Sequence, residues 1–178
     1  MTITNVSQKK PVLILEQYFL GRTFASGIFE DRFGNVRRQF TVDIDGTWDG
    51  QTLTLTEDFL FGDGESETRV WTIKKTGPGS YIGTADDVIG AAKGSVLGNT
   101  LNWKYDMRLK IGGSRVKVHF DDWMFLQPNG VLINKATVSK LGLDIGRVTI
   151  AFTRKADADF LSTLSSSSTR PLAATVGR

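Results

Sequence analysis

The chain has 178 residues, a length typical of one domain with a single hydrophobic core. Hydrophobic residues at 40% and charged residues at 23% are ordinary for a globular protein and indicate neither a disordered chain nor a membrane-spanning segment. The chain has no cysteine, which excludes disulfides, thiolate metal sites and cysteine nucleophiles. The net charge of +3 is not collected in a basic stripe, so we expect no nucleic-acid partner.

The N-terminal part begins with residues 1–12, which we predict to be a flexible leader. It has no small-residue cleavage site of the secretory type, so we expect a cytoplasmic location. Leu15, Tyr18 and Phe19 follow at a spacing that fits a short helix ended by Gly21, and such a helix would cap one end of a β structure. An irregular lead-in segment is the alternative.

Residues 13–155 are predicted to form the folded domain, because turn signals such as Asp45-Gly46 and Asn129-Gly130 separate strand-length runs. This pattern predicts an all-β fold, a single antiparallel up-and-down barrel of about ten strands, with an open two-sheet sandwich as the alternative. Residues 90–94 are rich in glycine and alanine and are placed between strands. The serine-rich tail, residues 156–178, is predicted to be disordered. The clearest strand candidates are 36–44, 52–61, 69–75, 101–110, 116–126 and 148–152, and weaker ones are 80–86 and 131–140.

Asp122 interrupts an otherwise apolar strand face. Side chains alternate across a strand, so Asp122 shares its face with Phe120 and Met124 and is predicted to lie in the core. Burying an ionised carboxylate without a partner is unfavourable, so such a residue is normally paired, protonated or held for a ligand.

The same alternation places two more charged residues among inward apolar ones. Arg38 shares a face with Phe40, and Glu57 shares one with Leu55. One interpretation is a structural ion pair between Arg38 and Glu57, with Asp122 bonded to the backbone or to an aromatic side chain. Another is a ligand site in which Arg38 meets an anionic head group and aromatic residues line the rest. A third makes Glu57 and Asp122 an acid/base pair. The candidate binding residues are Arg38, Glu57, Asp122, Trp71, Trp103 and Tyr105, with Trp48 and Tyr81 as further aromatic lining.

Templates for catalysis and cofactor binding are absent. His119 is the only histidine and falls on the outward face, so neither a histidine metal site nor a Ser-His-Asp arrangement is indicated. The glycine-rich stretches match no nucleotide-binding motif. We therefore expect no catalytic residue, no metal and no cofactor. Trp123 and Phe125 also face outward, where either the leader covers them or they form an exposed contact patch.

A series of short segments runs through the predicted domain: Glu16-Gln17-Tyr18-Phe19, Phe40-Thr41-Val42-Asp43, Asp63-Gly64-Glu65, Arg69-x-Trp71, Tyr81-x-Gly83, Trp103-x-Tyr105 and Phe120-Asp121-Asp122-Trp123-Met124. In this order they resemble an uncharacterised proteobacterial family of predicted lipoproteins, a domain of unknown function of the DUF3833 type. The resemblance covers about residues 13–155 and implies a lipocalin-like barrel, often attached to the bacterial envelope through a lipidated N-terminal cysteine. This chain departs from that pattern because it has no cysteine.

The sequence as a whole therefore predicts a non-catalytic binding protein whose barrel lumen holds a small apolar or amphipathic ligand, including an anionic, lipid-like one. An enzyme that uses Glu57 and Asp122 as acid and base is one alternative. An envelope-associated structural or interaction module is the other, and it names no particular protein partner.

Overall fold

The computed structural model describes residues 1–155, so the predicted disordered tail lies outside the described residues. Two short helices precede the sheet, α1 (Ile3–Val6) and α2 (Leu15–Tyr18). The strands are β1 (Gly21–Asp31), β2 (Val36–Trp48), β3 (Thr52–Phe61), β4 (Ser66–Gly77), β5 (Ser80–Thr84), β6 (Val88–Leu97), β7 (Thr100–Ile111), β8 (Ser114–Leu126), β9 (Leu132–Lys140) and β10 (Leu143–Arg154). No helix within residues 1–155 is long and apolar enough to cross a bilayer.

The strands close into one barrel of ten antiparallel strands, each beside its neighbour in sequence. The first and last strands complete the circle, with Gly27 of β1 opposite Ile150 of β10. This confirms the predicted all-β up-and-down barrel and excludes the open sandwich. Closure leaves no unpaired sheet edge, which is the usual advantage of a barrel over an open sheet.

One end of the barrel is covered by the segment before β1. In α2, the Tyr18 hydroxyl donates to the carbonyls of Gly130 at 2.9 Å and Phe152 at 3.1 Å. Phe19 packs edge-on against the Phe152 ring, with the ring centroids 5.6 Å apart. Gly21 then turns the chain into β1 at φ +82°, a conformation that favours glycine. The predicted capping helix is confirmed, and we call this end the closed end.

The leader also contacts the closed end. The backbone N–H of Gln8 donates to the Asn99 side chain at 2.7 Å, and the N–H of Asn99 donates to the Gln8 carbonyl at 2.9 Å. Farther along, Leu13 donates to Gly98 at 2.9 Å, and α1 lies against β6 and β7. The predicted boundary between the leader and the barrel, at residues 12 and 13, stays a prediction. The structure shows that the leader makes specific hydrogen bonds to the barrel.

The Trp103 ring lies across the inner face of β6 and β5, the two strands next to β7 on one side. A Cβ atom added at Gly94, its partner on β6, would lie 2.2 Å from the ring, and one at Gly83 on β5 would lie 2.5 Å from it. The placement of residues 90–94 between strands was therefore wrong, since they belong to β6. Gly94 and Ala92 carry no large apolar side chain to reveal the strand, because the space inside is occupied by the indole from β7.

The turns of five hairpins lie at the opposite end of the barrel. They are the hairpins β1–β2, β3–β4, β5–β6, β7–β8 and β9–β10. The described segment before β1 makes its attachments at the closed end, so it does not cover these hairpins. We call this the open end.

Replacing Gly94 by alanine tests the role of the Trp103 layer. The new Cβ would overlap the indole, so Gly94→Ala should lower the free energy of unfolding by about 2–3 kcal/mol in urea denaturation. Gly77→Ala is the control, because the nearest atom to its Cβ is 3.9 Å away. Equal losses in the two variants would show that Trp103 does not depend on this glycine.

The tip of the β9–β10 hairpin carries a strained residue. Leu141 has φ +50°, a region that asparagine tolerates and leucine disfavours. Leu141→Asn should therefore raise the free energy of unfolding by about 0.5–1 kcal/mol. Leu143→Asn makes the same change in polarity without this backbone strain and should have little effect. A loss of stability in Leu141→Asn would contradict the assigned strain.

Candidate functional site

Asp122 lies inside the barrel, as its alternation predicts, at the level of Trp103 on the neighbouring strand. Its Oδ2 accepts a hydrogen bond from the Tyr105 hydroxyl at 3.2 Å. Its Oδ1 is buried and has no partner of acceptable hydrogen-bond geometry within residues 1–155. A buried acceptor in this state is destabilising, so Asp122 is the most notable polar group of the interior.

Burial raises the pKa of Asp122 to about 7, although the hydrogen bond from Tyr105 and the nearby side-chain amide of Asn134 both lower it. Asn134 of β9 is also buried, and its own Oδ1 is without a partner among the described residues. Two buried acceptor oxygens thus occupy neighbouring strands. A donor brought between them, either a proton on Asp122 or a group of a ligand, would relieve both.

Glu57 lies one layer nearer the open end. Burial raises its pKa to about 7, against the lowering effects of the Arg69 charge and the Trp71 indole N–H. The Arg69 guanidinium approaches the Glu57 carboxylate at 3.8 Å. This separation is a loose ion pair, so Glu57 is held near Arg69 without being saturated by it.

Arg69 makes its closest contact with Asp87 in the loop between β5 and β6. Its Nε donates to Asp87 Oδ2 at 2.9 Å and its Nη2 donates to the same oxygen at 2.7 Å. Strand β5 is short, and its pairing with β4 ends at Thr84 opposite Thr72. The ion pair therefore joins this loop to β4 beyond the point where the β4–β5 pairing ends.

Arg38 does not join this interior group. Its guanidinium pairs with Asp63 at 3.1 Å and Glu65 at 2.6 Å in the β3–β4 hairpin. It also covers the Phe61 ring at 3.5 Å from the centroid. The predicted Arg38–Glu57 pair was wrong, because Arg38 lies near the end of β2 where the hairpin carboxylates are closer.

Aromatic rings surround the polar group. Tyr105 stacks on Phe120 with ring centroids 5.1 Å apart, and Trp71 meets it edge-on at 5.3 Å. Trp71 in turn contacts Trp103 at 5.7 Å. Burial and the neighbouring Asp122 raise the pKa of Tyr105 well above its usual value, so its hydroxyl stays a donor. Nearer the open end, the inward rings are those of Phe29, Phe40, Phe59 and Phe61.

Solvent reaches the interior from the open end. Residue exposure is 4% for Asp122, whereas side-chain exposure is 14% for Glu57, 17% for Arg69 and 19% for Asp87. An inward side chain of a closed barrel meets water mainly through an end, and the other end is covered. The polar group therefore lies in the part of the interior on the open side, which we call the mouth, and Asp122 is its most buried carboxyl.

Other predicted residues lie elsewhere. Tyr81 belongs to the closed end, where its hydroxyl donates a hydrogen bond to Glu16 at 2.7 Å. The inclusion of Tyr81 in the ligand lining was therefore wrong. Burial opposes ionisation of Glu16, but hydrogen bonds from Lys75 and Tyr81 lower its pKa. Trp48 packs on the core near the same end.

The outward residues fit the predicted face. His119 is exposed and contacts Asp106 at 2.8 Å. Trp123 is buried on the outer face, which favours cover by the leader over an exposed patch, while Phe125 is partly exposed. Clefts on the described surface include one of about 400 Å³ beside Pro128 in the β8–β9 loop and one of about 360 Å³ beside His119, and neither is lined by Glu57 or Asp122.

Three polar residues of the mouth were not predicted. Arg69 shares its face with Trp71, and Asn134 shares one with Leu132, so the alternation that indicated Asp122 also marks both. Asp87 lies in a loop, for which alternation gives no signal. No group of three or more His, Asp or Glu side chains within the described chain is arranged to hold a metal ion.

The raised pKa of Asp122 predicts that stability falls as pH rises. Between about pH 4 and pH 7 the folded state holds a proton on Asp122 that the unfolded state has lost, so this group alone should lower the free energy of unfolding by about 3 kcal/mol from pH 5 to pH 8, and Glu57 should add a fall of similar size. Asp122→Asn should be more stable than the parent at pH 8 and show a smaller fall, with the remainder due to Glu57. Urea denaturation at both pH values measures this, with the exposed Asp45→Asn as control. An unchanged pH dependence in Asp122→Asn would refute the assignment.

Comparison with known proteins places this barrel among lipocalin-like folds. A solved structure titled as the S-type phycobiliprotein lyase CPES from Guillardia theta matches it with a TM-score of 0.57 and 7% sequence identity. The match covers 79% of this chain and 90% of that one, and at this identity it shows the fold alone. No curated protein matches. The family described as "Protein of unknown function (DUF3833)" matches residues 1–154, and the chain therefore belongs to that family.

Proposed function

We propose that this barrel binds a small amphipathic ligand through its open end, with the polar part of the ligand at Glu57 and Asp122. The observation that carries the proposal is the buried carboxyl of Asp122, whose Oδ1 has no hydrogen bond of acceptable geometry among the described residues although Asn134 lies near it, in a group whose other carboxyls are partly exposed. Binding sites for small molecules are mainly apolar with a few convergent polar groups, and this mouth has that composition.

The charge balance favours a ligand that donates hydrogen bonds. Among the described residues, the polar group on the open side contains one guanidinium, Arg69, and three carboxyl groups, those of Glu57, Asp87 and Asp122. Asp87 already occupies the Arg69 fork, which leaves Glu57 and Asp122 without a full positive partner. An amine or hydroxyl would neutralise or satisfy them, whereas an anion would add repulsion. The anionic head group expected from Arg38 therefore receives no support, because that guanidinium is engaged by its hairpin.

The apolar part of the ligand would pack on the phenylalanine rings of the mouth. Phe40 and Phe59 lie 5.9 Å apart, and Phe59 stacks on Phe61 at 6.0 Å. The Trp103 ring already covers Gly94 and Gly83 on the inner face, and the other end is covered by α2, so we place the ligand in the open half of the interior. The likeness to a solved phycobiliprotein lyase supports the proposal only through the fold, because it shows a barrel of similar shape in a protein that has a named activity.

Catalysis is the second candidate, and one observation favours it. Both Glu57 and Asp122 have a pKa of about 7, the range in which a carboxyl group serves as acid or base near neutrality. Asp122 is almost inaccessible, however, and Glu57 is held by Arg69. We therefore place binding first, with turnover of a bound molecule as the finding that would reverse the order.

The test begins with native mass spectrometry of the purified full chain, to identify a molecule that accompanies it. Decylamine, decanol and decanoate then serve as probes below their micelle concentrations, with Trp fluorescence as the readout. The amine should bind about tenfold more tightly than decanoate, with decanol between them, since one charge interaction of this kind changes affinity by roughly that factor.

Variants separate this site from nonspecific binding. Glu57→Gln removes one carboxylate and should reduce the advantage of the amine about tenfold, while the exposed control Asp45→Asn should leave it unchanged. Tighter binding of decanoate would overturn the proposed ligand chemistry. Failure of all three probes to bind would overturn the binding function in the open half of the barrel.

A further inference from the structure

The β7–β8 hairpin extends beyond the barrel wall. Strand β6 pairs with β7 only as far as Met107, and β9 pairs with β8 only as far as His119. Beyond these positions the two strands pair with each other, with one further backbone bond from Arg108 to Asp87 at 2.8 Å. The hairpin is therefore a two-stranded ribbon that projects from the open end.

One face of this ribbon consists of basic residues opposite each other. Arg108 lies opposite Lys117, and Lys110 lies opposite Arg115. All four are exposed, and among the described residues only Lys117 has an acidic partner, Asp106 at 2.9 Å. Like charges directly across an antiparallel pair are destabilising, so this face is organised for an external anion rather than for the fold.

Large apolar side chains stand at the tips of the same end. Exposure is 74% for Phe33, 94% for Leu141 and 68% for Leu143, and Ile111 at the ribbon tip is also exposed. Leu141 combines this exposure with a positive φ of 50°, where asparagine or glycine is the usual residue. Neither the exposed side chain of Leu141 nor its backbone conformation stabilises the folded barrel.

The charges divide this end into two halves. The hairpins β7–β8, β9–β10 and β1–β2 are neighbours in the barrel and carry the apolar tips. Their exposed basic side chains at or beside the turns are those of Arg32, Arg37, Lys110, Arg115 and Lys140. Arg37 is paired with Asp31 at 2.6 Å, and Asp144 adds one exposed carboxylate, so the basic side chains remain in excess. The other two hairpins carry the acidic residues Asp63, Glu65, Glu67, Asp86 and Asp87.

We propose that the half of the open end formed by the β7–β8, β9–β10 and β1–β2 hairpins docks on an anionic lipid surface. The basic side chains contact lipid phosphates, and Phe33, Ile111, Leu141 and Leu143 insert among the upper acyl chains. Basic residues beside exposed apolar tips are the combination that interfacial membrane binding requires. The docking does not depend on the ligand proposed above, although it would turn the mouth toward a source of amphipathic molecules.

A lipid surface fits these residues better than nucleic acid or a protein groove. Three of the four tip residues are aliphatic and cannot stack on bases as aromatic residues do in single-strand binding. The tips are also distributed over three hairpins around a mouth, a shape that touches a plane rather than fills a groove. The acidic half would be repelled by the same surface, so the barrel would dock tilted.

Co-sedimentation of the full chain with vesicles tests the proposal. The chain should bind phosphatidylcholine vesicles that contain 30% phosphatidylglycerol and bind pure phosphatidylcholine vesicles at least about tenfold more weakly, with binding lost at high salt. Lys110→Gln with Arg115→Gln should weaken binding to the anionic vesicles about twentyfold, since each basic residue contributes roughly fivefold. Leu141→Asn with Leu143→Asn should weaken it about tenfold or more while the barrel stays folded.

Matched controls carry the same chemical changes elsewhere on the barrel. Lys74→Gln with Lys135→Gln removes two exposed charges from the outer wall, and Leu60→Asn with Val70→Asn removes two exposed apolar groups from the acidic side. Both should bind like the parent chain. Equal losses in the controls, equal binding to both vesicle types, or absence of vesicle binding would overturn the proposal. Salt-sensitive binding of a single-stranded oligonucleotide without vesicle binding would overturn it in favour of a nucleic-acid partner.

Discussion

The packing of the Trp103 indole against Gly83 and Gly94 is the constraint on which the interior depends. The ring takes the inward space that side chains at these positions of the neighbouring strands β6 and β5 would fill. Toward the closed end the interior is mainly apolar, with Glu16 and Thr23 buried in it, and α2 covers it. Toward the open end lie Glu57 and Arg69, which are partly exposed. Asp122 lies at the level of Trp103, between these two parts.

The polar residues of the open half are arranged with a surplus of carboxyl groups. Arg69 is committed to Asp87, because that pair joins the loop after the short strand β5 to the backbone of β4. Glu57 and Asp122 therefore have only the Arg69 guanidinium nearby, and Asp87 already occupies it. Burial then raises the pKa of each to about 7, which makes both groups sensitive to a ligand or a proton. The Arg69–Asp87 ion pair thus joins the β5–β6 loop to β4 and at the same time leaves Glu57 and Asp122 without a full positive partner.

The open end combines these polar residues with an asymmetric rim. The acidic hairpins engage Arg38 and stay polar, whereas the basic hairpins carry the exposed apolar tips. A fold optimised for stability alone would place asparagine or glycine at the position of Leu141 and opposite charges across the β7–β8 ribbon. These departures occur together, at the one end of the barrel that no described segment covers.

The sequence by itself determined the barrel, its capping helix and the inward position of Glu57 and Asp122. Alternation over strands and the chemistry of tight turns are local properties, so the residues themselves specify them. It did not determine the partners of the charged groups: one interpretation paired Arg38 with Glu57 and another held Arg38 for a ligand, whereas the structure pairs it with Asp63 and Glu65. Nor did it reveal β6, because its inward residues, such as Gly94, are small, and the Trp103 indole of β7 fills the space beside them. Which side chains meet depends on strand length, register and closure, and these are decided only when all ten strands are assembled.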